Sequence, residues 1–415
     1  MSPTPRAAGA LALAALAALL VGPVVAGALV LAALAATAAD ARAARRPPHA
    51  HRDAPAVVAR GRPADLHVGL PGAEGRRARV RQAVVPGVAL EPQEGEGGLA
   101  ASLVGARRGR HVLPPAAVRV RGPLGLASSD HAVGGEQELA VFPDVPAARR
   151  LALAVRQGRF REPGSRTRGP LGLGTEFESI REGLPDDDVR FVNWRATARL
   201  GRPMINNLRV EQDRDVVCVV DCGRLMTAPV GEGTALDVAL DAAAAVGLVA
   251  DAVGDRCGAL AYADEVLRRL PPRRAGGEAL VRACFDLQPR GVESDPELAF
   301  RAVGGLKRAL VVVLTDLVDV AAARSLVAAV PVLARHHEVV VAGAPDPALR
   351  AAVAKAPQGI DDVLAAAVAV EVDRARAEAV RSVRAAGAQV VEAPPAGLGA
   401  ACVAAYLRAK ARARL

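Results

Sequence analysis

Apolar and polar positions divide the 415 residues into stretches of different texture. No charged residue occurs from Ala7 to Ala39. As one helix that run would extend ~50 Å, well past the ~30 Å hydrocarbon core of a bilayer. Gly22-Pro23 divides it into halves that are each rather short to span alone. Residues 7–39 are therefore expected to form a transmembrane segment, preferably a two-helix hairpin turning at Gly22-Pro23. A single tilted, kinked span and a cleaved signal peptide are the alternatives, the last disfavoured by the length of the run. Residues 55–150 hold short alternating stretches such as Ala64–Leu70 and Ala116–Val120, broken by Gly and Pro. They predict the half-buried strands of a small β-sandwich. Residues 151–209 read as a linker, Arg- and Gly-rich from Arg156 to Gly174.

From residue 210 to 415 strands alternate with helices. Val216–Val220, Cys257–Tyr262, Ala309–Leu314, Val339–Ala342 and Ala388–Val391 are short apolar runs of strand length. Between them lie helical stretches: an Ala-rich run from Thr234 to about Val253, opened by a capping-box-like Thr234…Asp237, and Glu297–Val303 behind Asp295-Pro296. Further helices are expected over Val320–Arg335, after Asp346-Pro347, over Ile360–Ala386 and over Leu398–Ala411. Such alternation predicts an α/β, doubly wound, mainly parallel sheet with helices on both faces. Sites in such sheets lie at the carboxyl ends of strands, where Asp221 and Asp316 both fall.

Charge and composition narrow the function. Lys and Arg outnumber Asp and Glu by 53 to 44, and the segment 40–160 carries 19 basic against 11 acidic residues. Most of the excess thus lies beside the apolar run, where a bilayer is the expected partner. Arg6 flanks one end of the run and Arg42, Arg45 and Arg46 the other. The positive-inside rule then leaves the bulk of the chain cytoplasmic and the protein at the cell membrane. With six Phe, two Tyr and one Trp, the chain lacks the aromatic platforms of a single-strand nucleic-acid binder, and no nucleic-acid partner is expected. The five cysteines show no CxxC spacing. There is no GxxxxGK[ST] and no GxSxG, which removes a P-loop NTPase and a serine-hydrolase elbow. What remains is an oxygen-rich hard-cation site of Asp221, Ser294 and Asp316, set against the plainer reading in which these residues cap helices and bind backbone amides.

The stretch from Glu176 to Arg199, reading Glu-Phe-Glu-Ser-Ile-Arg-Glu-Gly-Leu-Pro-Asp-Asp-Asp-Val-Arg-Phe-Val-Asn-Trp-Arg-Ala-Thr-Ala-Arg, resembles the signature of the domain-of-unknown-function 58 family. Pro123-Leu-Gly-Leu126, Val220-Asp-Cys-Gly-Arg-Leu-Met226, Leu314-Thr-Asp-Leu317 and Tyr406–Arg412 extend the resemblance over most of the chain. It implies a membrane anchor, often of two helices, then a β-sandwich-like segment and a von Willebrand factor A-like domain. It also implies a MoxR-type AAA+ ATPase as partner. The adhesion site of such domains uses D-x-S-x-S, a threonine and an aspartate. Here the first motif is Asp221-Cys222-Gly223-Arg224-Leu225, so both serines are missing; Asp316 matches the aspartate and Ser294 stands for the threonine. Mg²⁺ would then be weakly bound or absent, and Arg224 is expected to neutralise the carboxylates. In the signature, Asp186, Asp187 and Asp188 with Arg181, Arg190, Arg195 and Arg199 are expected to form an ion-pair network around Trp194, either structural or a docking surface. The leading expectation is a non-enzymatic adaptor. A structural envelope scaffold and a metal-dependent hydrolase are the alternatives.

Overall fold

The computed structural model describes residues 2–412, apart from residues 22, 72–77, 162–175, 185–188, 210–212, 231–232 and 307. It separates into two compact units, Met1–Phe142 and Pro143–Leu415.

In the first unit, helix α1 (Pro5–Val21) and helix α2 (Pro23–Ala44) pack side by side. Val24–Ala44 is long and apolar enough to cross a membrane. Among the described residues, the rest of this unit forms three antiparallel-rich sheets. One contains Ala78–Arg81, Ala116–Arg121 and Ala127–Val133; a second contains Pro63–Gly69, Val88–Glu91 and Gly98–Gly105. A third joins Val57–Ala59, Gly109–Leu113 and Gln137–Phe142. Alternate residues such as Leu66, Val80, Leu103, Val118 and Leu139 point into one shared core. Each such side chain contributes ~1.5–3 kcal/mol on burial.

The second unit opens with helix α3 (Val145–Arg156), capped by Asp144 and packed on the later helix Ala235–Val253. The expected sandwich boundary at residue 150 falls inside α3. The amphipathic pattern of that helix buries Ala148 and Ala152, while the Asp144 N–H donates to Asp241. Of the region expected to be a linker, 151–209, residues 162–175 lie outside the described residues, while Val145–Arg156 continues as helix into its start and its later part holds regular elements. Strands Glu176–Glu182 and Met204–Arg209 pair antiparallel, with helix α4 (Trp194–Leu200) between them.

Among the described residues the central sheet has six strands: β1 (Asp215–Asp221), β2 (Arg256–Tyr262), β3 (Val266–Arg273), β4 (Ala309–Leu314), β5 (Glu338–Gly343) and β6 (Gln389–Glu392). Their order is β3-β2-β1-β4-β5-β6, parallel except for β3. Helices α5 (Ala235–Val253), α6 (Gly276–Cys284), α7 (Pro296–Val303), α8 (Arg324–Ala334), α9 (Pro347–Ala354), α10 (Ile360–Ala385) and α11 (Leu398–Ala411) complete the unit. Val217, Val219, Val311 and Val313 face α7, α8 and α10, while α5, α6 and α11 cover the other face.

Strand β3 and helix α6 also escaped the sequence pattern. Strand β3 carries two prolines and a mostly exposed, Arg-rich face, which an edge strand tolerates because one side needs no ladder partner. Helix α6 begins with Gly276-Gly277. Those glycines let its backbone touch α5, since a Cβ on Gly247 would meet the Gly277 Cα at 2.9 Å. Helix α8 starts at Arg324 rather than Val320, because Asp319 first holds a turn by accepting from the Ala322 N–H at 2.8 Å.

Candidate functional site

Strands β1 and β4 lie side by side, and the sheet grows from β1 toward β2 on one side and from β4 toward β5 on the other. Loops leaving their carboxyl ends diverge, and the gap between them is where α/β sheets place ligands. Here the gap is a cleft of about 600 Å³ whose lining includes Asp221, Arg224, Tyr262, Ser294, Thr315 and Asp316.

Asp221, at the end of β1, is 4% exposed. Its Oδ1 accepts from the Gly223 N–H at 2.8 Å and from the Ser294 hydroxyl. Its Oδ2 accepts from the Thr315 Oγ1 at 2.6 Å. Burial pushes this carboxyl above the usual range; the three donors pull it back, and neighbouring Asp316 adds to the rise. Asp316 lies one residue past Thr315 and accepts from Arg376 Nη1 at 2.7 Å. The Nε of the same guanidinium donates to Glu392 Oε1 at 2.7 Å. Burial works against the Arg376 charge, but Asp316 and Glu392 outweigh it and raise its pKa. Beneath the cleft, burial and then the charge of Asp221 push the Tyr262 phenol well above its ordinary value.

The structure thus brings Asp221, Ser294 and Asp316 together. The cation expected to neutralise them is a different one. Arg224 pairs with Glu293 on the exposed rim, because its side chain leaves the loop after β1 toward the Glu293 loop. Arg376, in the middle of α10, takes the interior position. Nothing local marks Arg376 among the arginines of that helix. Glu392 was more legible, since it ends a parallel strand as Asp221 does. Thr315 stood in the motif Leu314-Thr-Asp-Leu317 without an assigned role.

The geometry around Gly223 bears on a divalent cation. An added Cβ there would fall on the Ser294 hydroxyl and lie 2.9 Å from the Val292 carbonyl oxygen. The space that a serine would need at the first missing position is therefore taken by Ser294, whose hydroxyl already serves Asp221. Among the described residues, no group of three or more His, Cys, Asp or Glu side chains is placed to hold a metal ion.

The signature residues occupy the hairpin at 176–209. Arg181 lies on its first strand and donates to the Glu182 carbonyl oxygen at 3.0 Å. Trp194 opens α4 and is 66% exposed. Arg195 and Arg199 are exposed on the same short helix. The helix is held by its N-cap, Asn193, and by Thr197 Oγ1, which accepts from the Met204 N–H at 3.0 Å. Arg190 belongs to the turn Val189–Phe191. Asp186, Asp187, Asp188 and the Arg190 side chain lie outside the described residues, so the expected ion-pair network does too.

Comparison with known proteins adds lineage to this geometry. The profile of the family described as "Protein of unknown function DUF58" matches residues 179–389. "Uncharacterized protein Mb1516" of Mycobacterium bovis and "Uncharacterized protein Rv1480" of Mycobacterium tuberculosis are each 31% identical over 155 residues, 35% of this chain and 48% of theirs. The chain spans about half the length of these curated relatives. The match covers β1 to β5, the switch-point cleft and most of the signature hairpin, and on it the chain belongs to the DUF58 family.

Proposed function

We propose that the chain is a membrane-anchored interaction protein rather than an enzyme, with a von Willebrand factor A-like second unit that offers its switch-point cleft to a protein partner. One observation carries this reading: the carboxylates in the cleft are satisfied from within. Asp221 accepts from three donors and Asp316 from Arg376, so neither is left as a free general base. The five cysteines are all buried, and burial alone pushes the Cys402 thiol up to about 12, so a thiolate nucleophile has little support. The strand order, with its single antiparallel edge, supports the von Willebrand A-like reading.

The same observation favours a metal-free surface. A hard cation takes about six oxygens. Here Gly223 and Leu225 stand at two ligand positions, Ser294 is engaged, and a guanidinium sits against Asp316. Arg376 supplies internally the positive charge that Mg²⁺ would bring. The partner read from the family resemblance is a MoxR-type AAA+ ATPase. The apolar α2 and the arginines that follow it support a cell-membrane location with the bulk of the chain cytoplasmic.

The test is a pull-down of the full-length protein from native membranes in mild detergent, in Mg²⁺ and in EDTA, with wild type and Asp316→Ala. An AAA+ ATPase recovered with wild type under either condition and lost with Asp316→Ala is the expected result. Loss in EDTA that Asp316→Ala reproduces in Mg²⁺ would restore a metal to the site, whereas loss in EDTA that Asp316→Ala does not reproduce reports the Mg²⁺ of the ATPase's own nucleotide. No ATPase with any sample would sink the adaptor reading and leave a scaffold.

A further inference from the structure

The two ends of the N-terminal helix pair meet the β-sandwich at one place. Ser2–Pro3 pairs as an edge strand with Ala127–Ser128. The Thr4 N–H donates to the Leu126 carbonyl oxygen at 2.9 Å, and its hydroxyl donates to that of Gly125 at 2.6 Å. From the far end of α2, the buried Asp40 carboxylate accepts from the N–H groups of Leu124, Leu126 and Ala127 at 2.7, 2.7 and 2.8 Å. A side chain on Gly122 would fall on that carboxylate. Ring nitrogen Nε2 of His131 lies 2.9 Å from the Ala44 carbonyl oxygen. One loop, Gly122–Ala127, therefore grips residue 4 and residue 40 together. Both ends of the pair lie on one side, and the level at which the apolar run ends is set by a built polar contact. An isolated helix ending in water would need no such contact.

Arginine pairing changes at this level. Arg119 is held by Asp130 in a bidentate contact of 2.6 and 2.9 Å, and Arg79 is paired with Glu94. Arg6, Arg42, Arg46 and Arg121 are exposed and have no side-chain partner among the described residues. Arg6 reaches the latch loop, its Nη1 lying 3.3 Å from where a Gly125 Cβ would be. Arg121 stands opposite Ser128, which stands opposite Ser2. Beside them Leu124, at the tip of the loop, is 57% exposed.

We propose that the base of the helix pair, with Arg6, Arg42, Arg46 and Arg121 around the loop Gly122–Ala127, binds the phosphates of anionic phospholipid headgroups while Leu124 enters the interfacial layer. This rests on the membrane-anchored reading above. Guanidinium groups match phosphate oxygens with paired N–H donors. Unpaired cations gathered where an apolar segment enters a bilayer meet a negative surface, each worth roughly fivefold in local attraction. The sandwich then contributes Arg121 and Leu124 to the membrane surface, although both lie about 80 residues beyond the apolar run.

Full-length protein is equilibrated in vesicles of equal phosphatidylglycerol and phosphatidylcholine, extracted gently, and its retained lipids are weighed by native mass spectrometry. Wild type is expected to keep phosphatidylglycerol several-fold over phosphatidylcholine. The double variant Arg6→Gln/Arg121→Gln should fall toward the mixing ratio, while Arg107→Gln, an exposed arginine elsewhere in the unit, should not. Equal retention by wild type, or equal loss in Arg107→Gln, overturns the proposal. Alkaline extraction of the vesicles separates the two readings. Release by alkali removes the anchor and the lipid site together. Resistance to alkali without lipid preference removes the lipid site alone.

Discussion

Gly223 and Ser294 share one volume. The absent side chain at 223 makes room for a hydroxyl that arrives from 71 residues further along the chain and bonds Asp221. Gly223→Ser is expected to cost about 1–3 kcal/mol, the usual penalty for overpacking. Adding Ser294→Gly should return part of it, with a coupling of about 0.5–3 kcal/mol in a double-mutant cycle read by urea unfolding. Additive losses would mean that the two positions do not compete. A second residue-scale case is His337, which is 5% exposed with neither ring nitrogen hydrogen-bonded. Burial and then His336 hold its pKa below 6.5. As pH falls below about 6.5, the unfolded chain takes up the proton first, so stability declines until the native pKa is reached and then levels off. Thermal melts from pH 8 to 5.5 should show a larger fall for wild type than for His337→Gln. Asp221 acts in a separate window with the opposite sign. Its raised pKa makes the native state the tighter proton binder just above 3.8, so stability rises as pH drops there.

Helix α11 is fixed to the far end of the sheet by charge rather than by shape alone. Tyr406 and Lys410, one turn apart, both donate to the buried Asp255, Lys410 at 2.6 Å. Burial lowers the Lys410 pKa, and Asp255 opposes that shift. The stretch Tyr406–Arg412 thus has a structural use: it clamps the last helix to the turn before β2. Asp255→Ala would leave the ammonium buried without a counter-charge and is expected to cost about 3–5 kcal/mol. Asp255→Ala combined with Lys410→Met should recover part of that loss in denaturant midpoint, the remainder being the Tyr406 hydroxyl and Arg214 N–H left without their acceptor. The signature hairpin is the opposite kind of element. Its Trp194 is exposed, so Trp194→Ala is expected to change stability by no more than about 0.5 kcal/mol. The same variant should lower recovery of the ATPase in the pull-down, since exposed aromatics are the residues that interfaces bury. A large loss of stability would instead make the tryptophan structural.

At the scale of the whole molecule the two units divide the labour. The first carries the apolar helices and the sheets that share one core; the second carries the cleft and the signature hairpin. The adaptor reading needs both, because a cleft that binds a partner acts at the membrane only if the first unit holds it there.

Periodicity determined much of this by itself. Runs such as Ala309–Leu314 are apolar at every position because both faces of a parallel strand are buried, and proline after aspartate marks the start of α7 and α9. The carboxyl ends of β1 and β4, and so Asp221 and Asp316, followed from that alternation. Tertiary structure decided which groups meet them. Arg376 comes from 60 residues beyond Asp316, Ser294 from 73 beyond Asp221, and the Asp40 latch closes on a loop 84 residues away. Local sequence encodes the period of an element and its caps. It holds no record of the face that α10 turns toward the sheet, because that choice is made by packing between distant segments.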